Sequence, residues 1–489
     1  MKKFFYFLLT GMVLWSCSDN DDETFIPHPS EEYEIQDFVW KGLNEWYFWQ
    51  EDVENLGDGR FASNKAYEDF LNTHNSPEAL FEDLLYRKDE IDRFSWIVDD
   101  YEVLLGSFRG ESESFGFEIG DLVKAYQDDD AVIMYVGYVI PNSPASEAGI
   151  KRGDIIYKVD DVELNTSNYQ VVNNFYNNTS IKLGFATVED NVITPTGNTQ
   201  ILNTRTVLEN PVHHSEVISY NNKKIGYLVY NGFRNTYNGE LNDIFEDFKG
   251  ENIDELVLDL RYNGGGSVET CTYLASMIYG KASASDVFAE SIFNTKNTGE
   301  NTTDTFADKA RIFDKSSGND TGDKIEINRI SSLSRLYVLT SAATASASEM
   351  IINGLRPYME VVVVGDTTYG KNVGSFTLFD SPTFDYKDVN PNHLYAMQPI
   401  TFTIYNKDGE SDYTHGFTPD IPVFEYNYWD DIRPFGDTDE ALLATALQDI
   451  SGLQARSAAQ PEEASRMKGI RKKPFSREMY ITPGEMKSE

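Results

Sequence analysis

The sequence predicts a multidomain protein of the mixed α/β (α+β) class, because its hydrophobic pattern changes along the chain. Apolar residues recur at helical spacing over residues 33–100, as Ile35, Phe38, Val39 and Leu43 show. Short apolar strands follow over 101–190, and strands then alternate with helices over 191–450. A chain of 489 residues is long enough for several such domains with their own cores.

The charge of the chain excludes two kinds of partner. With 80 acidic and 41 basic residues, the formal net charge is −39. Such a field repels nucleic acid and anionic lipid, so we expect neither to bind. The excess of carboxylates fits a soluble, exposed protein surface.

Residues 1–17 predict a lipoprotein signal peptide. Lys2 and Lys3 precede an apolar run, Phe4 to Leu14, that is too short to span a membrane stably. The run ends at Cys17 in a sequence that resembles a lipobox, which implies lipidation of Cys17. The acidic residues of the following tether, 18–32, resemble an export tag of outer-membrane lipoproteins; an ordinary solvated tether is the alternative. We therefore expect a Gram-negative lipoprotein that is held to the outer membrane by its lipid alone and faces the periplasm or the cell surface.

Two further segments are polar and lack periodicity. Residues 280–330 are rich in Asn, Thr, Asp, Ser and Gly, and we expect a loop or lid there. Residues 451–489 are polar and locally basic, and we expect a disordered tail. Cys271 is the only cysteine besides Cys17, which leaves the mature chain no pair for an intrachain disulfide.

A serine and a lysine follow two neighbouring apolar strands. Ser346 comes after the strand Leu336–Thr340 and begins a predicted helix, and Lys371 comes after the strand Val361–Val364. A serine hydroxyl needs a base within hydrogen-bond reach, and a lysine can be that base when burial favours its neutral form. The residues thus predict Ser346 as nucleophile and Lys371 as base. The free N–H of Ala347 at the helix start suits an oxyanion.

A triple-glycine turn, Gly264–Gly266, follows the buried strand Leu256–Leu260. Glycines there allow backbone amides to point at a ligand. The glycine spacing and the missing downstream acid exclude a dinucleotide site, and a plain structural turn is the alternative.

Residues 101–190 resemble a PDZ domain. Ser143-Pro144-Ala145, Ala148-Gly149-Ile150 and Gly153-Asp154-Ile155-Ile156 fall in register with its motifs. This resemblance implies that an extended peptide adds as a strand beside a small-residue loop. The loop is expected at Phe115, Gly116 and Phe117. Glu118 is an unusual neighbour for a terminal carboxylate, which leaves recognition of a C-terminus open.

The order of the motifs resembles the C-terminal processing peptidase, or tail-specific protease, family. The segments Asp259–Gly266, Ser346–Glu349 and Thr368–Lys371 carry the likeness, and Gly416–Ile421 matches the closing motif of the family. The resemblance implies a crotonase/ClpP-like α/β peptidase core with Ser346 and Lys371 as the catalytic dyad. It also implies an oxyanion hole formed by Gly265 and Ala347. The expected activity is that of a serine endopeptidase on unfolded or C-terminally exposed polypeptides, with the PDZ domain binding the substrate tail or gating the site.

The third group of the site is open in the sequence. Many members of this family carry a Gln four residues after the lysine, where this chain has Ser375. Ser375 is one candidate for orienting the lysine amine, and Thr368 is another.

Three other functions fit the sequence less well. A histidine-based triad is disfavoured, because the six histidines lie in no nucleophile motif and show no metal-ligand spacing. No metal or cofactor is therefore expected. A catalytically silent peptide-binding or scaffold lipoprotein of the same fold is the main alternative, since fold alone proves no activity. A Ser-Lys hydrolase for non-peptide acyl groups is a weaker one. The sequence makes no prediction about the oligomeric state.

Overall fold

The N-terminal region is helical, as predicted. The computed structural model describes residues 27–126, 129–189, 192–452, 464–469, 475–482 and 485. The elements of this region are α1 (Glu34–Trp46), α2 (Asn64–Leu71), α3 (Pro77–Asp83) and β1 (Trp96–Val98). Ser63 and Ser76 begin α2 and α3 as N-caps, with each Oγ accepting a backbone N–H three residues on. The apolar face of α1 is buried against the rest of the molecule.

The next region is a small antiparallel sheet with one helix before it. Its elements are α4 (Tyr101–Phe108), β2 (Glu111–Ser114), β3 (Phe117–Lys124), β4 (Val132–Val139), α5 (Pro144–Glu147), β5 (Ile155–Val159), β6 (Val162–Glu163), β7 (Ser180–Glu189), β8 (Val192–Asn203) and β9 (Arg205–Leu208). A 3₁₀ helix, Tyr169–Tyr176, follows β6. The prediction of strands from residue 101 onward was wrong for α4. Asp100 caps that helix through Glu102 N, and Leu104 and Phe108 bury one face at helical spacing.

The large C-terminal region alternates strands and helices, as predicted. Its elements are β10 (Val212–Tyr220), β11 (Lys223–Tyr230), α6 (Asn238–Glu251), β12 (Glu255–Asp259), β13 (Gly266–Ser267), α7 (Val268–Ile278), β14 (Val287–Phe293), β15 (Thr302–Thr305), β16 (Lys309–Phe313), β17 (Asp320–Glu326), β18 (Arg335–Thr340), α8 (Ala347–Leu355), β19 (Glu360–Gly365), β20 (Val373–Phe376), β21 (Leu378–Phe379), β22 (Ala396–Gln398), β23 (Phe402–Asn406), β24 (Ile421–Pro422) and α9 (Ala441–Ile450).

The central sheet of this region has the order β10-β11-β12-β18-β19-β24. Strands β11, β12, β18, β19 and β24 run parallel, and β10 is antiparallel at one edge. Apolar side chains of one face pack with α6, α7 and α8, and those of the other face pack with α9. The parallel strands are apolar on both faces because both faces are covered.

The expected loop or lid at 280–330 contains four strands, β14 to β17. Strand β14 pairs with β15 and β23 in a second sheet, and β16 pairs with β17. The order of the second sheet is β13-β26-β20-β23-β14-β15, in which β26 is Met479–Ile481. The polar composition of the segment as a whole hid this strand, β14, although its Phe288, Ala289 and Phe293 are buried.

The tail expected to be disordered contains two short strands among its described residues, β25 (Ser465–Arg466) and β26 (Met479–Ile481). Strand β25 adds to the edge strand β3, and β26 lies between β13 and β20. Both pair with strands distant in sequence, so local periodicity carried no signal of them. Over the described residues, no helix has the length and apolarity that crossing a membrane requires.

Candidate active site

Three neighbouring parallel strands deliver the predicted site residues to one edge of the central sheet. Gly264–Gly266 follow β12, Ser346 follows β18, and Lys371 follows β19. The carboxyl ends of parallel strands meet at the same edge, which is where open α/β sheets bind ligands. A Cβ placed on Gly265 would stand 2.6 Å from Ser346 Cβ, so the glycine turn lies directly against the serine.

Ser346 has an unusual backbone conformation. Its φ is 67° and its ψ is −120°, a combination that residues with a side chain rarely adopt. The residue is buried, and its Oγ has no hydrogen-bond partner among the described residues. The turn thus holds a free hydroxyl at the start of α8, where helix N–H groups lack acceptors within the helix.

Glu349 ties the serine turn to the lysine turn. Its Oε2 accepts hydrogen bonds from Ser346 N and Lys371 N, both at 2.8 Å. Its Oε1 accepts from Thr368 Oγ1 at 2.5 Å and Gly370 N at 2.7 Å. Burial raises the pKa of the Glu349 carboxyl, and these hydrogen bonds oppose that effect. One buried carboxylate therefore fixes the spacing of both predicted catalytic residues.

The Lys371 side chain is fully buried and faces the C-terminal tail. Its Nζ donates to Arg477 O at 2.7 Å and lies 3.5 Å from Glu478 Oε2. The ring of Phe94 lies 5.0 Å from Nζ. Lys371 Nζ makes no hydrogen bond to Ser346 Oγ in this arrangement. The Lys371 amine is thus held by Arg477 and Glu478 and makes no hydrogen bond to the Ser346 hydroxyl.

Neither candidate for the third group touches the lysine amine among the described residues. Thr368 Oγ1 donates to Glu349 and accepts from Phe417 N at 2.7 Å. Ser375 Oγ donates to Met479 O at 3.4 Å. Burial raises the pKa of Glu478 more than the nearby Lys371 lowers it, so the carboxyl that does face the amine has a pKa above its ordinary value.

The two predicted oxyanion donors differ in their surroundings. Ala347 is the first residue of α8, so its N–H has no acceptor within the helix. The Gly265 N–H instead donates to Asn263 Oδ1 at 2.8 Å. The neighbouring Gly266 N–H donates to Glu478 O at 2.5 Å. In this structure the Gly266 N–H therefore donates to a tail carbonyl, that of Glu478, whereas the Gly265 N–H donates to a side chain of its own turn.

The loop predicted to bind peptide in the PDZ-like region lies at the start of β3. Gly116 has a φ of 86°, and a Cβ on it would meet Ser143 Cβ at 2.0 Å, which only glycine avoids. Phe115 and Phe117 both pack edge-on against Phe175 of the 3₁₀ helix. The loop is thus held by its own core, with β3 leading away from it.

A buried network of charges connects the PDZ-like region to the glycine turn. Arg152 donates to Glu425 Oε1 at 2.6 Å and to Tyr262 Oη at 3.0 Å, and Tyr262 immediately precedes Asn263 and the glycines. Arg261 donates to the same Glu425 oxygen at 2.8 Å. Burial raises the pKa of Glu425, but Arg152 and Arg261 outweigh that effect and lower it to about 2. The carboxylate therefore stays ionised and links the two regions.

The sequence reasoning missed Glu349, Glu478 and Arg152. The position of Glu349, three residues after a helix-starting serine, is a capping-box spacing that could have identified it. Glu478 lies in a segment without periodicity, and no local signal marks it. Within the described part of the chain, no cluster of three or more His, Cys, Asp or Glu side chains could hold a metal ion. Cys17 lies outside the described residues.

Sequence profiles of known families match most of these regions. The profile of peptidase family S41 matches residues 224–423, and that of the S41 N-terminal domain matches residues 34–96. The chain belongs to peptidase family S41. A PDZ-domain profile matches residues 135–173, which confirms the PDZ resemblance. The predicted fold of N-terminal helical domain, PDZ domain and mixed α/β peptidase core is likewise confirmed.

Individual relatives are consistent with this assignment. The chain is 23% identical over 333 residues to a carboxyl-terminal-processing protease from a Picosynechococcus species, with 64% of this chain and 72% of that protein covered. It is 27% identical to carboxyl-terminal-processing peptidase 2, chloroplastic, of Arabidopsis thaliana over 47% of this chain and 40% of that one. A crystal structure of a Bacteroides fragilis protein assigned to the S41 proteases superposes with a TM-score of 0.65 at 28% identity, covering 85% of this chain and 97% of the other. The family places the chain among the serine-type peptide hydrolases.

Proposed function

We propose that this chain is a serine endopeptidase with a Ser346–Lys371 dyad that cleaves unfolded or C-terminally exposed polypeptides in the cell envelope. The observation that carries the proposal is the shared anchor of the two residues. The carboxylate of Glu349 accepts a hydrogen bond from the backbone N–H of each residue, whereas the Ser346 hydroxyl has no partner within the part of the chain that the structure describes. A buried hydroxyl and a buried amine at one sheet edge are the parts that Ser-Lys acyl transfer needs.

In the proposed mechanism, neutral Lys371 Nζ takes the proton of Ser346 Oγ as the oxygen attacks the scissile carbonyl carbon. The N–H groups of Ala347 and Gly266 stabilise the oxyanion, with Gly265 keeping the turn close to the serine. Collapse of the intermediate expels the amine, which takes the proton from Lys371. Lys371 Nζ, neutral again, then takes a proton from water as the water oxygen attacks the acyl carbon, and gives that proton to Ser346 Oγ as the acyl–oxygen bond breaks. Lys371 must first leave its present contacts with Arg477 and Glu478 to reach the serine.

The PDZ domain is proposed to deliver the substrate. Its strand-addition edge, β3, begins at the loop Phe115–Phe117, and an extended peptide on this edge gains backbone hydrogen bonds whatever its side chains. Arg152 and Tyr262 join this domain to the glycine turn, so a shift of the PDZ domain on binding has a direct path to the oxyanion donors.

We further propose that the protein is an outer-membrane lipoprotein attached through Cys17. The support is the short apolar run after Lys2 and Lys3 and the lipobox-like sequence that ends at Cys17. Growth with a clickable palmitate analogue tests this. Label on the wild type that is lost in Cys17→Ala agrees with it, whereas equal labelling of both contradicts it.

A catalytically silent peptide-binding protein of the same fold remains the alternative function. One observation favours it, namely that Lys371 Nζ is bonded to Arg477 O and not to Ser346 Oγ. Such a protein would bind unfolded chains and release them uncut.

The test is degradation of casein by the purified mature chain. Ser346→Ala and Lys371→Ala run alongside, with folding checked by circular dichroism, and each substitution is expected to lower the rate by at least about a thousandfold. Arg60→Ala, a change at an exposed arginine of the N-terminal region, is the control and should cleave normally. Cleavage that survives in Ser346→Ala would overturn the dyad.

A further inference from the structure

The C-terminal tail of this chain follows the route that a polypeptide substrate is expected to take. Residues 464–469 lie on the PDZ domain, and residues 475–482 lie in the cleft beside Ser346. These two places are the strand-addition edge and the reaction site of the proposed function, on which this inference rests.

On the PDZ domain the tail adds as a strand to β3. Ser465 and Arg466 pair antiparallel with Lys124 and Val123, and Met467 N donates to Leu122 O at 2.9 Å. The tail therefore runs toward the loop Phe115–Phe117, which is the direction a peptide takes in strand addition to a PDZ edge. On its other side, Tyr169 Oη of the 3₁₀ helix donates to Lys468 O at 2.7 Å.

Two side chains of this strand give the groove a chemical preference. The Arg466 guanidinium meets Asp121 Oδ2 of β3 at 2.6 Å and Asp366 of the core at 3.4 Å. Burial raises the pKa of Asp121 to about 6 against the lowering effect of Arg466. Met467 packs against the apolar core of the PDZ domain. The groove thus fits an extended segment in which a basic residue precedes an apolar one.

In the cleft the tail is a strand bonded on both edges. Met479 and Tyr480 pair in parallel with Gly266 and Ser267 of β13, while Tyr480 and Ile481 pair with Ser375 and Phe376 of β20. Met479 is fully buried, and the Tyr480 ring lies 4.2 Å from that of Phe108.

The same segment occupies the groups that catalysis needs. Lys371 Nζ donates to Arg477 O and lies in an ion pair with the Glu478 carboxyl, and the Gly266 N–H donates to Glu478 O. Trp96 Nε1 in turn donates to Glu478 Oε1 at 3.0 Å, which fixes that side chain. A substrate carbonyl cannot reach Ser346 and the glycine-turn amides while this segment is in place.

We propose that residues 464–469 and 475–482 are built-in occupants of the substrate path, which keep the peptidase latent until a polypeptide with a basic-apolar segment displaces the tail from the PDZ groove. Arg466 and Met467 are the specificity contacts of that groove, and Arg477 and Glu478, held in place by the strand Met479–Ile481, block the reaction site. Because the tail is tethered to the chain, its effective concentration is on the order of millimolar, so weak contacts suffice to hold it.

The first experiment compares full-length variants with the wild type on casein. Arg466→Ala removes a charge-assisted contact of the groove and is expected to raise the rate about tenfold. Arg60→Ala removes an exposed arginine of the N-terminal region whose guanidinium lies 3.8 Å from Glu54, and it is expected to leave the rate unchanged. A rate for Arg466→Ala equal to that of the wild type would count against the proposal.

The second experiment removes the tail after folding. A recognition sequence for a site-specific protease is inserted after Gly452, the chain is cut, and the tail is separated by size-exclusion chromatography. The tail-free chain should cleave casein at least about tenfold faster than the uncut chain, as expected for loss of a millimolar tether. A synthetic peptide spanning Ala464–Glu485 should inhibit it again. No gain on tail removal, in a chain that does cleave casein, would overturn the proposal and leave the proposed function standing.

A binding measurement separates this proposal from the proposed function. The fluorescently labelled Ala464–Glu485 peptide is titrated into the tail-free chain carrying Ser346→Ala, and an Arg466→Ala peptide serves as the control. Saturable binding that weakens about tenfold in the control supports the tail as occupant, even if no form of the protein cleaves casein. Absence of binding to the folded, tail-free chain would overturn it.

Discussion

Replacing Glu349 by Gln is expected to lower both the free energy of unfolding and kcat. The carboxylate accepts from Ser346 N, Lys371 N, Thr368 Oγ1 and Gly370 N, all within 2.8 Å. In Glu349→Gln the amide oxygen can serve one pair of these donors, and the amide NH₂ then faces the other pair. The Thr368 hydroxyl can rotate to accept from the NH₂, but the Gly370 N–H loses its acceptor.

The magnitude follows from the number of donors that lose their partner. One buried donor without an acceptor costs about 1–3 kcal/mol, so Glu349→Gln should lower the free energy of unfolding by that amount. Displacement of the turns by a fraction of an ångström should lower kcat by about 10²-fold. Glu349→Ala leaves all four donors unpaired and should cost several times more stability, on the order of 4–8 kcal/mol.

The assay is kcat for a quenched fluorescent peptide on the tail-free chain, together with urea unfolding of each variant. Glu360→Gln is the matched control, since Glu360 begins the same strand, β19, but is exposed. Unchanged kcat and stability in Glu349→Gln would refute the claim that this carboxylate sets the geometry of the dyad. A loss of stability alone, with kcat intact, would show a purely structural role.

Three further predictions follow from particular contacts. Arg152→Met breaks a buried 2.6 Å contact with Glu425 and should lower the free energy of unfolding by about 2–4 kcal/mol. Arg205→Met breaks an exposed 2.6 Å contact with Glu147 and should change the free energy of unfolding by less than about 1 kcal/mol. Equal losses for the two variants in urea unfolding would contradict this prediction. Ser346→Gly should raise the free energy of unfolding by about 1 kcal/mol in the same assay while abolishing activity, because glycine relieves the positive φ at that turn, and a decrease would contradict the strain. Binding of the tail peptide should weaken as the pH rises from about 5 to about 8, by up to tenfold per pH unit, because burial beside Glu269 raises the pKa of Glu485 to about 8 and docking therefore favours its protonated form. A Glu485→Gln peptide should show a shallower profile over this range, since only the raised pKa values of Glu478 and Asp121 then contribute. An equally steep profile would contradict the assignment. The groups that face Glu485 are Glu269, Arg311, Ser267, Asn235 and Thr482.

The parallel core and the positions of its loops were predictable from the sequence. Runs such as Leu256–Leu260 and Val361–Val364 are apolar without interruption because both faces of the sheet are covered. The residues that follow them, the glycine turn and Lys371, must then meet at one edge. The short helix that begins at Pro144 was equally predictable, because Ser143 and Ser146 form a capping box at its start.

The contacts of the tail were not predictable in the same way. Strands β25 and β26 are two and three residues long and gain their partners from strands far away in sequence. Such segments carry too few residues for a period, and their composition resembles a disordered tail. The different acceptors of the Gly265 and Gly266 N–H groups could not be predicted from the sequence either, since they depend on Asn263 Oδ1 accepting from the Gly265 N–H.

The most direct test of the account is covalent labelling of the tail-free chain with a serine-reactive aryl phosphonate, followed by peptide mapping by mass spectrometry. We predict a single adduct, on Ser346. Its formation should slow by at least about a hundredfold in Lys371→Ala, because that variant lacks the base. An adduct on another residue, or equal labelling rates with and without Lys371, would contradict the Ser346–Lys371 dyad.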